Sequence, residues 1–242
     1  LDSLNFNMEQ ATAFYNKQRE LLTLGKIQDV IYDSTRISWT TNVLNAAKKN
    51  EIIPLDKIGE NSNCLYRPYF KQYGCYSRFW NERVYQLPKL FPTSKYKNLV
   101  ICVSGVGVTK DFSCIITDML PDLELIGKSQ CFPLYWYEEN KNKQQTLSLF
   151  DTESSDDYIR RDGITDWILK EVRTRFGNAR KITKETIFYY VYGLLHSPKY
   201  REAFAADLKK SLPRIPIVED IDAFLDFSYA GKQLANLHLN YE

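Results

Sequence analysis

No apolar run in this 242-residue sequence approaches the roughly 20 residues that a membrane-spanning helix needs. Leu99–Val103, for example, is only five residues long. Nor does a secretory leader open the chain, because the first 25 residues read as a polar amphipathic helix. Histidine is scarce, with His196 and His238 the only two. The five cysteines, Cys64, Cys75, Cys102, Cys114 and Cys131, are odd in number and lack any C-x-x-C spacing. A zinc cluster and a disulfide framework are therefore both disfavoured, and a reducing cytoplasm fits best. A large charge excess is missing too: 32 Lys plus Arg against 30 Asp plus Glu leave +2. That balance excludes a histone-like tail and an acidic low-complexity chain, but not a local basic patch. The chain opens on Leu1 rather than Met, which reads as part of a longer polypeptide.

Aromatic residues are what the sequence has in excess, 14% of the chain with 17 Tyr and 13 Phe. With 44% hydrophobic residues overall, a substantial core is expected. The pattern predicts an α+β (mixed α/β) fold in three stretches. Residues 1–60 read as a helical lead-in. Phe14, Leu21, Leu22 and Leu24 form a broken stripe ending at Gly25. A second helix starts near Ser38, with Ser38 or Thr40 as cap, and stops at Pro54. Residues 61–150 read as a β-rich part, with NLVICV (98–103) as a buried strand and CFPLYWY (131–137) at an edge because of Pro133. Residues 151–242 read as a helical bundle. One helix carries Ile164, Trp167, Ile168 and Val172. Thr183 caps the next, Ser197-Pro198 opens a third that carries Tyr200, Phe204 and Leu208, and a last helix spans about Ile221 to Leu239. Tyr190, Leu194, Phe204 and Leu208 are the expected core there.

Charge is unevenly distributed along this frame. Between Asn61 and Lys110 eight basic residues meet Glu82 alone, whereas residues 138–166 carry twice as many acids as bases. The polar run 138–157 is the candidate linker or loop. The stretch from Tyr66 to Lys97 interleaves bases with aromatics. Arginine forks suit guanine edges and phosphates, lysines act as point charges on phosphate, and rings can stack on bases. A half-buried sheet with a solvated basic face accounts for the same composition.

The enzymatic motifs are incomplete. Gly105-Val-Gly107 follows a strand, but Lys110 replaces the third glycine of a dinucleotide loop and no G-x-x-x-x-G-K-[ST] exists. A turn explains these glycines, although Ser104, Thr109 and Lys110 could still face a phosphate. Asp122 with Glu139-Asn140-Lys141 matches the loose nuclease pattern of two carboxylates and a lysine around magnesium, in a place where carboxylates are common anyway. His196, at a helix end, suits capping carbonyls. No Ser or Cys nucleophile can be matched to a base.

Four longer blocks carry more information: YRPYFKQYGCYSRFWNERVYQLPKLFP (66–92), NLVICVSGVG (98–107), FSCIITDMLPDLELIGKSQCFPLYWYE (112–138) and ETIFYYVYGLLHSPKYREAFAADLKKSLPRIPI (185–217). In this order, from about Trp39 to Tyr241, the sequence resembles the C-terminal specificity region of type ISP restriction-modification enzymes. In that family one polypeptide joins an Mrr-like nuclease, a helicase ATPase, a coupler, an adenine-N6 methyltransferase and a target recognition domain. The resemblance implies that this chain reads a duplex DNA site and positions it for adenine-N6 methylation and ATP-dependent restriction by other domains. Its own catalytic residues, metals and cofactors are expected to be none, with S-adenosylmethionine, ATP and magnesium belonging to the parent. Residues 1–60 would then include the end of the methyltransferase or coupler. The partners implied are double-stranded DNA and the methyltransferase and helicase domains of the same polypeptide. Charge and context nominate Arg67, Lys71, Arg78, Arg83 and Lys89 for the DNA face, with Lys110 and Lys128 as loop contacts. The alternative for Arg67-Pro68 is a buried structural pair, flanked as it is by Tyr66 and Tyr69. Two other readings stay open: a nuclease with Asp122 and Glu139 on a metal, and a domain-docking module without DNA affinity.

Overall fold

The computed structural model describes residues 2–53, 60–77, 79–81, 83–141, 157–177, 179 and 181–242. The chain clusters into two compact units, residues 1–64, 72–88 and 93–95 in the first and residues 65–71, 89–92 and 96–242 in the second. In the first, α1 (Asp2–Thr23) is followed by Gly25, whose left-handed φ of 72° turns the chain into a 3-10 turn at Ile27–Asp29. α2 (Thr41–Lys48) begins where the Thr40 hydroxyl accepts the Val43 N–H at 3.2 Å, so Thr40 is the cap and Ser38 is not. Tyr15 anchors the unit. It is fully buried among Val43, Ala46, Ala47 and Ile53, with Phe79 edge-on at 5.2 Å. Burial, reinforced by the carboxylate of Glu51, pushes its hydroxyl up to about 12, so it stays protonated and donates to the Glu51 carbonyl at 2.9 Å.

Strands β1 (Glu60–Arg67) and β2 (Phe70–Tyr76) and the single-turn α3 (Leu87–Leu90) each contribute residues to both units. A Cβ added at Gly74 would lie a tight 3.0 Å from Cys64 Sγ.

The second unit is built around β3 (Val100–Val103), buried along its whole length, as expected of a continuous apolar run. It pairs antiparallel with β4 (Cys114–Thr117) on one side and β6 (Gln130–Pro133) on the other. The two-residue β5 (Leu120–Pro121) lies beside β1 instead. Pro133 ends β6 on the sheet edge, where its missing N–H costs no ladder bond. The aromatic run then resumes after Leu134 as β7 (Tyr135–Glu139), which pairs antiparallel with β8 (Tyr158–Asp162) in a separate ribbon. Both ends of the polar run thus lie beside or within paired strands, and residues 142–156 lie outside the described residues. The ribbon spans residue 150, so strands and C-terminal helices share one unit. Buried Asn98 ties the segments together. Its amide donates to the carbonyls of Leu90 (3.0 Å) and Tyr135 (2.7 Å), and its oxygen accepts the N–H groups of Leu99 and Tyr135.

The helices follow their local caps. Thr165 opens α4 (Asp166–Arg175), Thr183 opens α5 (Lys184–His196) with a reciprocal bond to Thr186, and Ser197 with Pro198 opens α6 (Pro198–Ala203). The expected third helix breaks at Phe204, giving α7 (Ala205–Leu208) after it. Because Phe204 is the capping residue between the two, its ring is 38% exposed and belongs to no core, unlike Tyr190, Leu194 and Leu208. Trp167 likewise points to solvent from the first turn of α4, while Val172 is buried. α8 (Ile221–Leu239) has the span read from the sequence, and Asp220 caps it by accepting the Ala223 N–H at 2.8 Å. It crosses α5 so closely that a Cβ on Gly193 would lie 2.3 Å from the Phe227 carbonyl oxygen, and one on Gly231 2.0 Å from that of Tyr189. Above the crossing, Tyr190 stacks on Phe224 at 4.2 Å. No helix among the described residues is long and apolar enough to cross a membrane.

Candidate nucleic-acid interface

The nominated cations fall into distinct settings. Arg67 ends β1, and its guanidinium contacts the Asp122 carboxylate at 3.2 Å while lying 4.0 Å over the Tyr66 ring. Asp122 opens the loop 122–129, whose Glu124 N–H it accepts at 2.8 Å; Glu124 in turn accepts the Lys128 N–H at 3.0 Å. That loop abuts the one carrying Lys110, through a bond from the Gly105 N–H to the Gly127 carbonyl at 3.0 Å. Lys110 and Lys128 therefore sit, both exposed, on adjoining loops, and Arg67 at the end of β1 is joined to the second of them through Asp122. Lys128 adopts a left-handed φ of 45°, and Gly105 is a glycine because a Cβ there would lie 2.2 Å from the Lys128 carbonyl oxygen. Only Gly107 of the glycine pair needs a positive φ. Ser104 is buried, its hydroxyl accepting the Ser113 N–H at 3.0 Å, so it closes the loop instead of facing a phosphate. Thr109 remains exposed beside Lys110.

Lys71, in β2, reaches Glu242 at 3.0 Å and lies 4.8 Å from the Tyr241 ring centre. Lys89 is exposed on α3. Arg83 is exposed in the first unit, and Arg78 lies outside the described residues. The carboxylates facing Arg67 and Lys71 come from positions 122 and 242, beyond the stretch whose charge had been counted. They make this surface a set of interleaved ion pairs. Sequence reasoning also missed Arg160 and Arg161 on β8. Arg160 lies 4.3 Å over the Tyr135 ring and Arg161 bonds Glu138 at 3.0 Å.

The nuclease reading gains no support from this geometry. Asp122 is engaged by Arg67 and by the Glu124 N–H, while Glu139 ends β7 opposite Tyr158. Among the described residues no group of three or more His, Cys, Asp or Glu is placed to hold a metal.

The turn between β1 and β2 rests on His238, behind which lie Tyr192 and His196. Tyr69 lies edge-on to His238 at 5.6 Å, His238 Nδ1 meets the Tyr192 hydroxyl at 2.5 Å, and His196 Nδ1 contacts the Tyr192 carbonyl at 3.0 Å. His196 thus contacts a carbonyl, as its helix-end position suggests. Burial drives the Tyr192 hydroxyl far above its ordinary value, so it stays protonated in its bond with His238. Burial, above all, lowers both imidazoles below their usual 6.5; Arg201 and His238 add to the effect on His196. The unfolded chain takes up protons on these groups near pH 6.5, the folded chain only lower. Stability is therefore full above that pH and is lost as pH falls through the folded-state values. Melting midpoints taken from about pH 8 down to about pH 5 are expected to decline below pH 6.5, and His196→Gln to flatten the decline. An equally steep fall in that variant would assign the effect to carboxylates elsewhere.

Comparison with known proteins places these features in a family. No curated protein matches the sequence. Among solved structures, the DrdV–DNA complex determined by cryo-electron microscopy is 28% identical, with a TM-score of 0.76 over 99% of this chain and 21% of that one. The ATP-dependent Type ISP restriction-modification enzyme LlaBIII bound to DNA is 32% identical, with a TM-score of 0.79 over 100% and 14%. A nuclease-deletion mutant of the Type ISP enzyme LlaGI, in complex with a DNA substrate mimic, is 30% identical, with a TM-score of 0.74 over 98% and 20%. The chain thus spans about a fifth or less of the length of these enzymes. The family model for the Type ISP C-terminal specificity domain matches residues 2–242, and with that match across nearly its whole length this chain belongs to that family.

Proposed function

We propose that this chain is the DNA target recognition domain of a single-polypeptide restriction-modification enzyme. The observation that carries the reading is the specificity-domain match over residues 2–242, joined to structural likeness with Type ISP enzymes bound to DNA. In this reading Arg67, at the end of β1, and the adjoining loops of Lys110 and Lys128 face the phosphates. The turn carrying Lys71 and the exposed Lys89 and Arg83 add further cationic contacts, and Arg78 belongs with them by sequence. Phosphate contacts fix the register, and side chains reaching base edges select the sequence. The domain itself contributes no catalytic group. It holds the duplex so that a methyltransferase active site elsewhere in the polypeptide can flip the chosen adenine. S-adenosylmethionine, ATP and magnesium serve those other domains, and the enzyme works in the cytoplasm.

The test is binding of a labelled duplex pool across a salt series, followed by sequencing of the bound fraction. Each phosphate contact is expected to contribute about −0.9 to the slope of log K against log salt. A steep slope with one enriched short site is the expected result. Absence of binding at low salt would instead make the basic face a surface for docking other domains.

A further inference from the structure

Residues 65–71 leave β1, reverse at Pro68-Tyr69 and enter β2, and this short reversal is braced on every side. The Leu65 carbonyl accepts the Asp122 N–H at 3.0 Å, Arg67 is held by Asp122, and Lys71 by Glu242. Tyr69, in the left-handed region at φ 61°, is wedged edge-on against His238 and against Tyr241 at 5.2 Å. A non-glycine residue in that region is held there by its surroundings. Despite this bracing, the apolar rings of the turn face solvent. Phe70 is 57% exposed and Tyr66 41% exposed, the two meeting edge-on at 6.4 Å. A ring whose purpose was stability would be turned onto the core, since leaving it wet forfeits most of its hydrophobic gain.

The surroundings of the pair specify what meets it. The rings lie at the turn end of the three-stranded β2–β1–β5 sheet, and the end of a β-sheet is an element that can enter a groove of duplex DNA. The rings are flanked by Arg67, lying flat on Tyr66, and by Lys71. Both cations are in exposed ion pairs, which are weak and can exchange a carboxylate for a phosphate. We propose that Phe70, backed by Tyr66, is an apolar wedge that enters a base-pair step of double-stranded DNA. Side chains of this kind unstack a step and gain contact with the opened duplex. The inference rests on the DNA-recognition reading above and adds to it a contact that carries no charge.

The absence of charge gives the wedge its signature. Binding of wild type and Phe70→Ala is compared across a salt series, on a selected duplex carrying 2-aminopurine at successive positions. Phe70→Ala is expected to weaken binding roughly tenfold with an unchanged salt slope. The emission rise that wild type produces at one step is expected to vanish, and Phe70→Trp to restore it. Because the Phe70 side chain is exposed, the alanine variant should melt with wild type. Salt-dependent binding by wild type that Phe70→Ala leaves unchanged, or no position with raised emission, overturns the wedge and spares the DNA reading. No binding by wild type overturns both.

Discussion

Replacing Gly231 with alanine is expected to lower the thermal midpoint by about 6–12 °C, from a cost of about 3 kcal/mol at roughly 2–4 °C per kcal/mol for a chain of this size. The added methyl would lie 2.0 Å from the Tyr189 carbonyl oxygen and 2.8 Å from the Gly193 nitrogen, both backbone atoms that no rotamer change can move. Relief requires α8 to move away from α5. That motion would loosen the Tyr190–Phe224 stack and the bond from the Ser228 hydroxyl to the Thr186 carbonyl at 2.9 Å, both on the same helix pair. Calorimetry of the variant checks the expectation. A shift under about 2 °C would mean that the crossing widens at little cost.

Charge reversal of Arg67, Lys110 and Lys128 together to glutamate is expected to reduce DNA affinity by about 100-fold or more at low salt, taking about 1 kcal/mol for each lost contact. The salt slope should flatten by about 2.7 if all three meet phosphates. Single reversals separate the roles. A residue on phosphate weakens all sequences alike, whereas one on a base edge relaxes the preference at a single position. Lys232, paired with Glu185 across α5 and α8, is the control for charge at large. Equal losses from Lys232→Glu would show that overall field, not the adjoining loops, governs binding.

The sequence makes the helix starts legible because each rests on a local bond. Thr40, Thr183 and Ser197, each a cap candidate from sequence, accept the N–H of the residue three positions on. β3 is legible as a continuous apolar run because both its faces are covered. The break at Phe204 is not legible, since an apolar stripe continues through it and only the turn between α6 and α7 exposes the ring. Nor is the β7–β8 ribbon, whose exposed faces admit the charges that make Glu138 and Arg161 resemble linker. The basic stretch places exposed cations at Arg67, Arg83 and Lys89. Its isolation from acids does not survive folding, because Asp122 and Glu242 arrive from distant parts of the chain. The single reversals at Arg67, Lys110 and Lys128 sort these cations into phosphate and base-edge contacts.

The bond between Lys71 and Glu242 joins residues 171 positions apart. Closing so long a loop is entropically expensive until the β3 sheet and the α5–α8 pair have brought its ends together. The turn at Tyr69 is thereby tied, through exposed contacts, to a part of the sequence far from its own strands. Substituting Glu242 would take away one side of the support around Lys71 while leaving the buried core untouched.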